Sequence, residues 1–226
     1  MALSTAAVIP ARNEAATLAE TLEALQRIPR LSRIIVVDDG SRDTTAAIAR
    51  RLDAEVLSSP PFGKGQALRL GVIQALKRPP DALLLADADL GASASRLADL
   101  LDAIDAHHPV AVAIFPPVPA GAGFGLVKNL SRRAILRRTG YAPAEPLSGQ
   151  QALLVTALDA LRRGIAPGFG AEVGMTLDLL AAGIKPLETP LPLTHRSTGR
   201  NPSGFAHRAR QGLDITRALR GARIPW

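Results

Sequence analysis

The sequence predicts an α/β fold, a doubly wound and mostly parallel sheet flanked by helices, and three observations predict it. Four short apolar runs do not alternate with polar residues, which marks strands buried on both faces. Amphipathic stretches with helical spacing lie between them. The two kinds alternate in order through about residue 106, as in a sheet wound by crossover helices.

Taken in order, Ala6–Ile9 is the first run, and Leu18, Leu22, Leu25 and Ile28 make the first helical stripe. Arg33–Val37 follows, and Ser41, Asp43 and Thr44 after Asp39-Gly40 are helix-start residues. Leu68, Val72 and Leu76 share a helix face before the third run, Asp81–Leu85. Leu97, Leu101 and Ile104 form another face before Val110–Ile114. Residues 115–125, rich in Pro, Gly and Ala, read as a loop, and Val127–Arg138 as a basic helix. Gln151–Val155 is strand-like, Phe169–Ala182 a helix closed by Gly183, and Pro186–Leu193 an extended edge or connector. From Gly204 to Ala222, Phe205, Ala209, Gly212, Ile215, Leu219 and Ala222 form a small or apolar stripe, with arginines elsewhere. No internal repeat or second core appears, so the expectation is one domain over 1–226. Its parts are 1–106, where strands and helices alternate, 107–200, and a basic tail over 201–226.

Composition narrows the function. At 226 residues the chain can bury a full core, and 47% hydrophobic with 21% charged residues excludes disorder. The absence of cysteine excludes disulfides, thiol catalysis and Cys-based zinc sites. No apolar run reaches the ~18 residues a spanning helix needs, and the start lacks the basic region of a signal peptide, so a cytoplasmic protein is expected. The net charge is +7, and only Lys64, Lys77, Lys128 and Lys185 among the 27 cations are lysines. Arginine suits bidentate phosphate recognition. Aromatic residues at 3% are too few for a nucleic-acid stacking platform, so a small phosphorylated partner is favoured over nucleic acid.

The chemistry concentrates where strands end. Asp87-Ala88-Asp89 closes a buried strand at the edge where open α/β sheets bind ligands. Paired carboxylates there suit a hard divalent cation that also holds a diphosphate. Asp38-Asp39-Gly40-Ser41 ends another strand, Pro10-Ala11-Arg12-Asn13-Glu14 ends the first, and Gly63-Lys64-Gly65 opens a helix where free amides and a lysine can meet phosphate. Each alone reads as an ordinary turn or cap. All four fall at strand-to-helix junctions on one sheet edge.

These motifs resemble the family 2 glycosyltransferases and their GT-A-fold relatives. The resemblance runs through Val8-Ile9-Pro10-Ala11-Arg12-Asn13-Glu14, Val37–Thr45, Gly63-Lys64-Gly65, Asp87-Ala88-Asp89-Leu90, Pro146-Leu147-Ser148-Gly149 and Gly168–Gly174, in the family's order across nearly the whole chain. Within this group the chain resembles polyprenyl-phosphate sugar transferases and glucosyl-3-phosphoglycerate synthases, the latter through Gly63-Lys64-Gly65 and His195-Arg196. The resemblance implies a GT-A fold, a UDP-linked nucleotide diphosphate sugar donor, and Mn2+ or Mg2+. It implies that Pro10, Ala11, Arg12 and Glu14 line the nucleoside pocket, with Asp39 at the base or ribose and Lys64 approaching the nucleotide. Asp87 and Asp89 would present the metal, with His195 as a further ligand or else an ordinary surface histidine. Arg196 and Arg200 resemble a phosphate-clamping loop, although Pro202 replaces the usual lysine three residues past Gly199.

A hydroxyl acceptor attacking with inversion needs a carboxylate base. Glu172, at a helix start beside glycines, is the candidate, or simply an acid favoured by the helix dipole. A lipid phosphate acceptor is already ionised and needs none, and inversion and retention both stay open. The acceptor expected is phosphorylated, a polyprenyl phosphate, with a small acid such as 3-phosphoglycerate as the alternative. Nucleotidyltransferases share the topology but need a glycine-rich loop after the first strand, where this chain has Pro10–Glu14. The non-enzymatic alternative is a basic adaptor for nucleic acid or a membrane surface. A homodimer is left open. Peripheral membrane contact is expected from the tail, with Phe205, Ile215 and Leu219 on one side and Arg208, Arg210, Arg217 and Arg220 elsewhere, unless that stripe packs on the sheet. Arg132-Arg133 and Arg137-Arg138 add basic charge that attracts the acceptor.

Overall fold

Seven strands form one sheet in the order β3-β2-β1-β4-β6-β5-β7. They are β1 (Thr5–Ala11), β2 (Leu31–Asp39), β3 (Glu55–Ser59), β4 (Ala82–Leu85), β5 (Val110–Ile114), β6 (Gln151–Leu154) and β7 (Leu187–Pro190). The helices are α1 (Leu18–Gln26), α2 (Thr45–Arg51), α3 (Lys64–Leu76), α4 (Ala98–Ala103), α5 (Gly125–Thr139) and α6 (Ala171–Ala181), with a further helical stretch at 212–219. The structure, a computed structural model, describes residues 3–116, 125–194 and 212–226.

The four apolar runs became β1, β2, β4 and β5, and β1 pairs in parallel with both β2 and β4. Alternate residues serve opposite layers. Ile9 and Leu84 pack with Leu18, Leu22 and Leu25 of α1 and with Leu97–Leu101. Val8 and Leu83 pack with Leu68 and Val72 of α3 and with Met175 and Leu179 of α6. Each such side chain contributes about 1.5–3 kcal/mol on burial.

Three differences from the sequence reading have physical causes. Strand β3 pairs parallel to β2 but lies at the sheet edge and is mostly half-buried, so it carries no continuous apolar run. The face predicted from Leu97 to Ile104 is split, with a 3-10 turn over Gly91–Leu97 before α4 begins. Strand β6 lies antiparallel between β4 and β5. It therefore begins at the edge where the parallel strands end, which brings residues 148–150 beside Asp87.

The tail also differs. Ile215 is buried in a cluster with Ile135 of α5 and Val173 of α6, and Leu219 packs on it. Ile215 is committed to packing within the protein and Leu219 is half-buried beside it, so the two do not form a free membrane-facing stripe; Phe205, Arg208 and Arg210 lie outside the described residues. Beyond the helix, Ile224 bridges Ile165, the Trp226 indole N–H donates to the Leu161 carbonyl, and Arg223 holds Asp178 bidentately at 2.6 and 2.9 Å. No helix among the described residues is long and apolar enough to cross a membrane.

Candidate active site

The carboxyl ends of β1 to β4 converge as the motifs predicted. Register places Pro10 beside Val37 and Ala11 beside Asp38, so Arg12 emerges next to the second strand's acidic pair. The two loops are laced together. The Asn13 N–H donates to Ser41 Oγ at 2.9 Å, Arg42 N–H to Asn13 Oδ1 at 2.8 Å and Glu14 N–H to Thr45 Oγ1 at 2.9 Å. Asn13 takes a left-handed φ of 57°, which its short polar side chain tolerates. The Glu14 carboxylate accepts from Thr17 Oγ1 at 3.1 Å, so it also orders the start of α1.

Asp38 closes its own turn by accepting the Ser41 N–H at 3.1 Å. Asp39 is buried, and both its oxygens accept the Gly63 N–H, at 3.1 and 3.0 Å. Burial raises its pKa, while the amides of Gly63 and Phe62 and the Arg12 guanidinium pull the other way. Asp39 thus anchors the loop that leads into Lys64.

Lys64 is the centre of the site. Its ammonium lies 2.6 Å from Asp87 Oδ1 and 2.6 Å from Glu172 Oε1. Burial pushes its pKa down, but the two carboxylates overcome this and hold it above the ordinary lysine value. Both flanking glycines have physical reasons. Gly63 has φ 96° and ψ 164°, a region essentially reserved for glycine. A Cβ on Gly65 would lie 2.1 Å from the Ala166 carbonyl oxygen, so that glycine permits α3 to abut the segment leading to Glu172.

Asp87 has a second clamp. The Gln150 side chain donates to Asp87 Oδ2 at 2.7 Å and accepts the Asp87 N–H at 2.9 Å. Beside it, a Cβ on Gly149 would fall 2.6 Å from the Lys64 nitrogen and 2.7 Å from Asp87 Oδ1. The Asp87–Asp89 turn is tied down from α1. Thr21 Oγ1 donates to the Ala88 carbonyl at 3.0 Å and accepts the Gly91 N–H at 2.9 Å.

Asp89 lines a cavity of about 380 Å3 with Thr17, Glu20, Ser93 and Thr194 among its walls. The Thr194 N–H donates to Ser93 Oγ at 3.1 Å, which brings the chain to the cavity rim. The next residue, His195, and Arg196 and Arg200 lie outside the described residues. Among the described residues no group of three His, Cys, Asp or Glu side chains is placed to hold a metal. Asp87 and Asp89 nevertheless supply hard oxygen donors of the kind Mn2+ and Mg2+ prefer.

Glu172 is 4% exposed in the first turn of α6, and Asp214 of the tail, 5% exposed, accepts the Phe169 N–H at 3.3 Å in the turn just before it. The structure thus brings Pro10, Ala11, Arg12, Glu14 and Asp39 to one side of the edge, and Lys64, Asp87 and Glu172 into direct contact. Sequence reasoning missed Gln150, Thr21 and Asp214. Thr21 left a trace, a polar residue inside the stripe Leu18, Leu22, Leu25. Gln150 left less, one amide before an apolar run. Asp214 left only an acid amid arginines.

Known proteins resemble this chain in sequence and in fold. The model of the family "Glycosyl transferase family 2" matches residues 6–152. Polyprenol monophosphomannose synthase of Mycolicibacterium smegmatis is 29% identical over 217 residues, 86% of this chain and 79% of that protein. Glycosyltransferase AglJ of Haloferax volcanii is 28% identical over 196 residues, 84% of this chain and 63% of that protein. Among solved structures, glucosyl-3-phosphoglycerate synthase from Mycobacterium tuberculosis in complex with phosphoglyceric acid superposes with a TM-score of 0.76 at 24% identity. The match covers 98% of this chain and 81% of that one. A second structure of that enzyme, with Mn2+ and uridine-diphosphate-glucose, gives 0.74 at 23%, over 98% of this chain and 80% of that one. The expected GT-A-type architecture is the one the chain adopts.

Proposed function

The chain belongs to glycosyl transferase family 2 and is a glycosyltransferase, and from that premise we propose that it moves a sugar from a uridine diphosphate sugar to a phosphorylated acceptor, a polyprenyl phosphate, with Mn2+ or Mg2+. The observation that carries the reading is the convergence of Arg12, Asp39, Lys64, Asp87 and Asp89 on one sheet edge. Support for the donor and metal comes from the similar synthase structures with Mn2+ and uridine-diphosphate-glucose. Support for the acceptor comes from the polyprenol enzyme that resembles this chain along most of its length.

In this reading, residues 1–106 bind the donor and 107–200 the acceptor. Pro10, Ala11, Arg12 and Glu14 border the nucleoside, and Asp39 meets the base or ribose. Asp87 and Asp89 fit a hard cation by their donor chemistry, and His195, one residue past Thr194 at the rim of the Asp89 cavity, completes the set. When bound, the cation neutralises charge on the diphosphate. The bond from the anomeric carbon to the diphosphate oxygen breaks, and its electron pair leaves with the nucleotide. A bond to an acceptor phosphate oxygen forms. Lys64 places positive charge beside the leaving group, where preorganised charge is worth most. Arg196 and Arg200 hold the acceptor phosphate. A phosphate oxygen needs no base, which leaves Glu172 to fix Lys64; a base role would first require that ion pair to open.

The test is a thermal-shift panel of nucleotide sugars with and without Mn2+, followed by transfer to polyprenyl phosphate and to 3-phosphoglycerate. A UDP-sugar with Mn2+ at 100 times its dissociation constant should add about 2.7 kcal/mol, and Asp89→Ala should abolish the metal-dependent part. Stabilisation that ignores the metal would refute the metal assignment. Transfer to 3-phosphoglycerate alone would move the acceptor to the small-acid class found in the similar synthase.

A further inference from the structure

Among the described residues only four large apolar side chains are strongly exposed: Phe62, Leu130, Leu136 and Leu213. Two of them lie on α5, and Leu213 lies on the tail helix that packs against it. At 3.6 residues per turn, α5 divides cleanly. Ser131 and Ile135 are fully buried on one side, while Arg132, Arg133, Leu136 and Arg137 are exposed on the other, flanked by Leu130.

The charge on that face is uncompensated. Residues 109–144 contain five cations and no acidic residue. Lys128 is satisfied by Glu145, and Arg138 donates to the Leu219 carbonyl. Among the described residues no carboxylate pairs with Arg132, Arg133 or Arg137, so three unpaired guanidinium groups share this face with two exposed leucines.

We propose that this outward face of α5 is where the protein lies on an anionic lipid surface. Guanidinium groups interspersed with exposed leucines suit a headgroup layer, where the charges meet lipid phosphate and the leucines reach the acyl boundary. A nucleic-acid partner would satisfy the arginines and leave Leu130 and Leu136 in water. The position fits an enzyme whose acceptor is a lipid, and to that extent the inference rests on the acceptor reading above. Strand β5 ends on the same sheet edge as Asp87, and α5 is the next described element. The Lys128–Glu145 pair ties α5 to the segment that leads into Gln150.

The experiment is flotation of the full chain with phosphatidylcholine vesicles, with and without one quarter phosphatidylglycerol, at low and high salt. The parent should bind the anionic vesicles only and be released at high salt. Each interfacial arginine contributes roughly fivefold in partitioning. R132Q/R133Q/R137Q should therefore lose on the order of a hundredfold, and L130S/L136S several-fold, with melting temperatures close to the parent because all five side chains are exposed. R217Q/R220Q on the tail helix should bind like the parent. Absence of anionic-vesicle binding, equal binding to neutral vesicles, or loss through the tail variant and not the α5 variants would overturn the proposal. Binding through α5 with transfer only to 3-phosphoglycerate would support this surface and refute the lipid acceptor.

Discussion

Replacing Lys64 with methionine probes the centre of the site. The side chain is 19% exposed and sits between the buried Glu172 and Asp87, whose side chain is 31% exposed. Removing one partner of a buried pair costs roughly 3–5 kcal/mol, because the remaining charge stays desolvated. Asp87 keeps Gln150 and partial solvent access, so the lower end applies, about 3 kcal/mol. A chain of this length unfolds with an entropy of about 0.5 kcal/mol per kelvin, which converts the loss into a fall of about 6 °C in Tm. Calorimetry on K64M, E172Q and K64M/E172Q closes the cycle. The double variant should recover much of the loss, since the desolvated charge goes with its partner, while transfer stays impaired in all three. A K64M protein within 1–2 °C of the parent, or a double variant as unstable as K64M, would refute the buried-cation argument.

Other outcomes follow from the same geometry. Gly149→Ala pushes against the Lys64 ammonium and the Asp87 carboxylate, which can shift, so stability should fall by only about 1 kcal/mol. Displacement of that pair by about an ångström should cut kcat/KM on the order of a hundredfold; steady-state kinetics with unchanged values would contradict it. Gly65→Ala meets the Ala166 carbonyl, which cannot yield cheaply, and should destabilise by about 3 kcal/mol or more. Gly63→Ala should cost about 1–3 kcal/mol from its backbone alone, and urea melts of the two order them. Glu55 has its pKa lowered to about 2, first by the hydrogen bond from Arg33. The folded value lies below the unfolded one, so this stability is present above about pH 4.5 and lost as pH falls through about 2. Glu55→Gln should cost about 2 kcal/mol at neutral pH, and a parent–variant gap that failed to narrow in acid melts would count against the linkage.

Most of the donor side was legible because its evidence is local. An apolar run followed by Asp38-Asp39-Gly40 or Asp87-Ala88-Asp89 contains both the strand and its functional end, and parallel winding then sets such ends on one edge. What escaped depends on contacts between distant residues. No pattern in Gln150 says that β6 runs antiparallel to β4 and delivers its amide to Asp87. Lys64 reads as a phosphate-seeking lysine, and only the fold shows it held by an acid 108 positions further on. Strand β3 was invisible because an edge strand need not be apolar. In the tail, Ile215 and Leu219 read as a membrane stripe or as a packing stripe, and Ile135 and Val173 decide for packing.

The stitching of residues 165–178 to residues 214–226, through Asp214, Arg223 and Ile224, has a consequence for biosynthesis. Asp39, Lys64 and Asp87 leave the ribosome before Glu172, and the turn that presents Glu172 is braced by residues translated later still. At about 5–20 residues per second the interval from Asp87 to Arg223 is roughly 7 to 27 seconds. Until residue 172 is made, Asp87 is the one acid of the two available to Lys64, and the brace on the Glu172 turn comes after both.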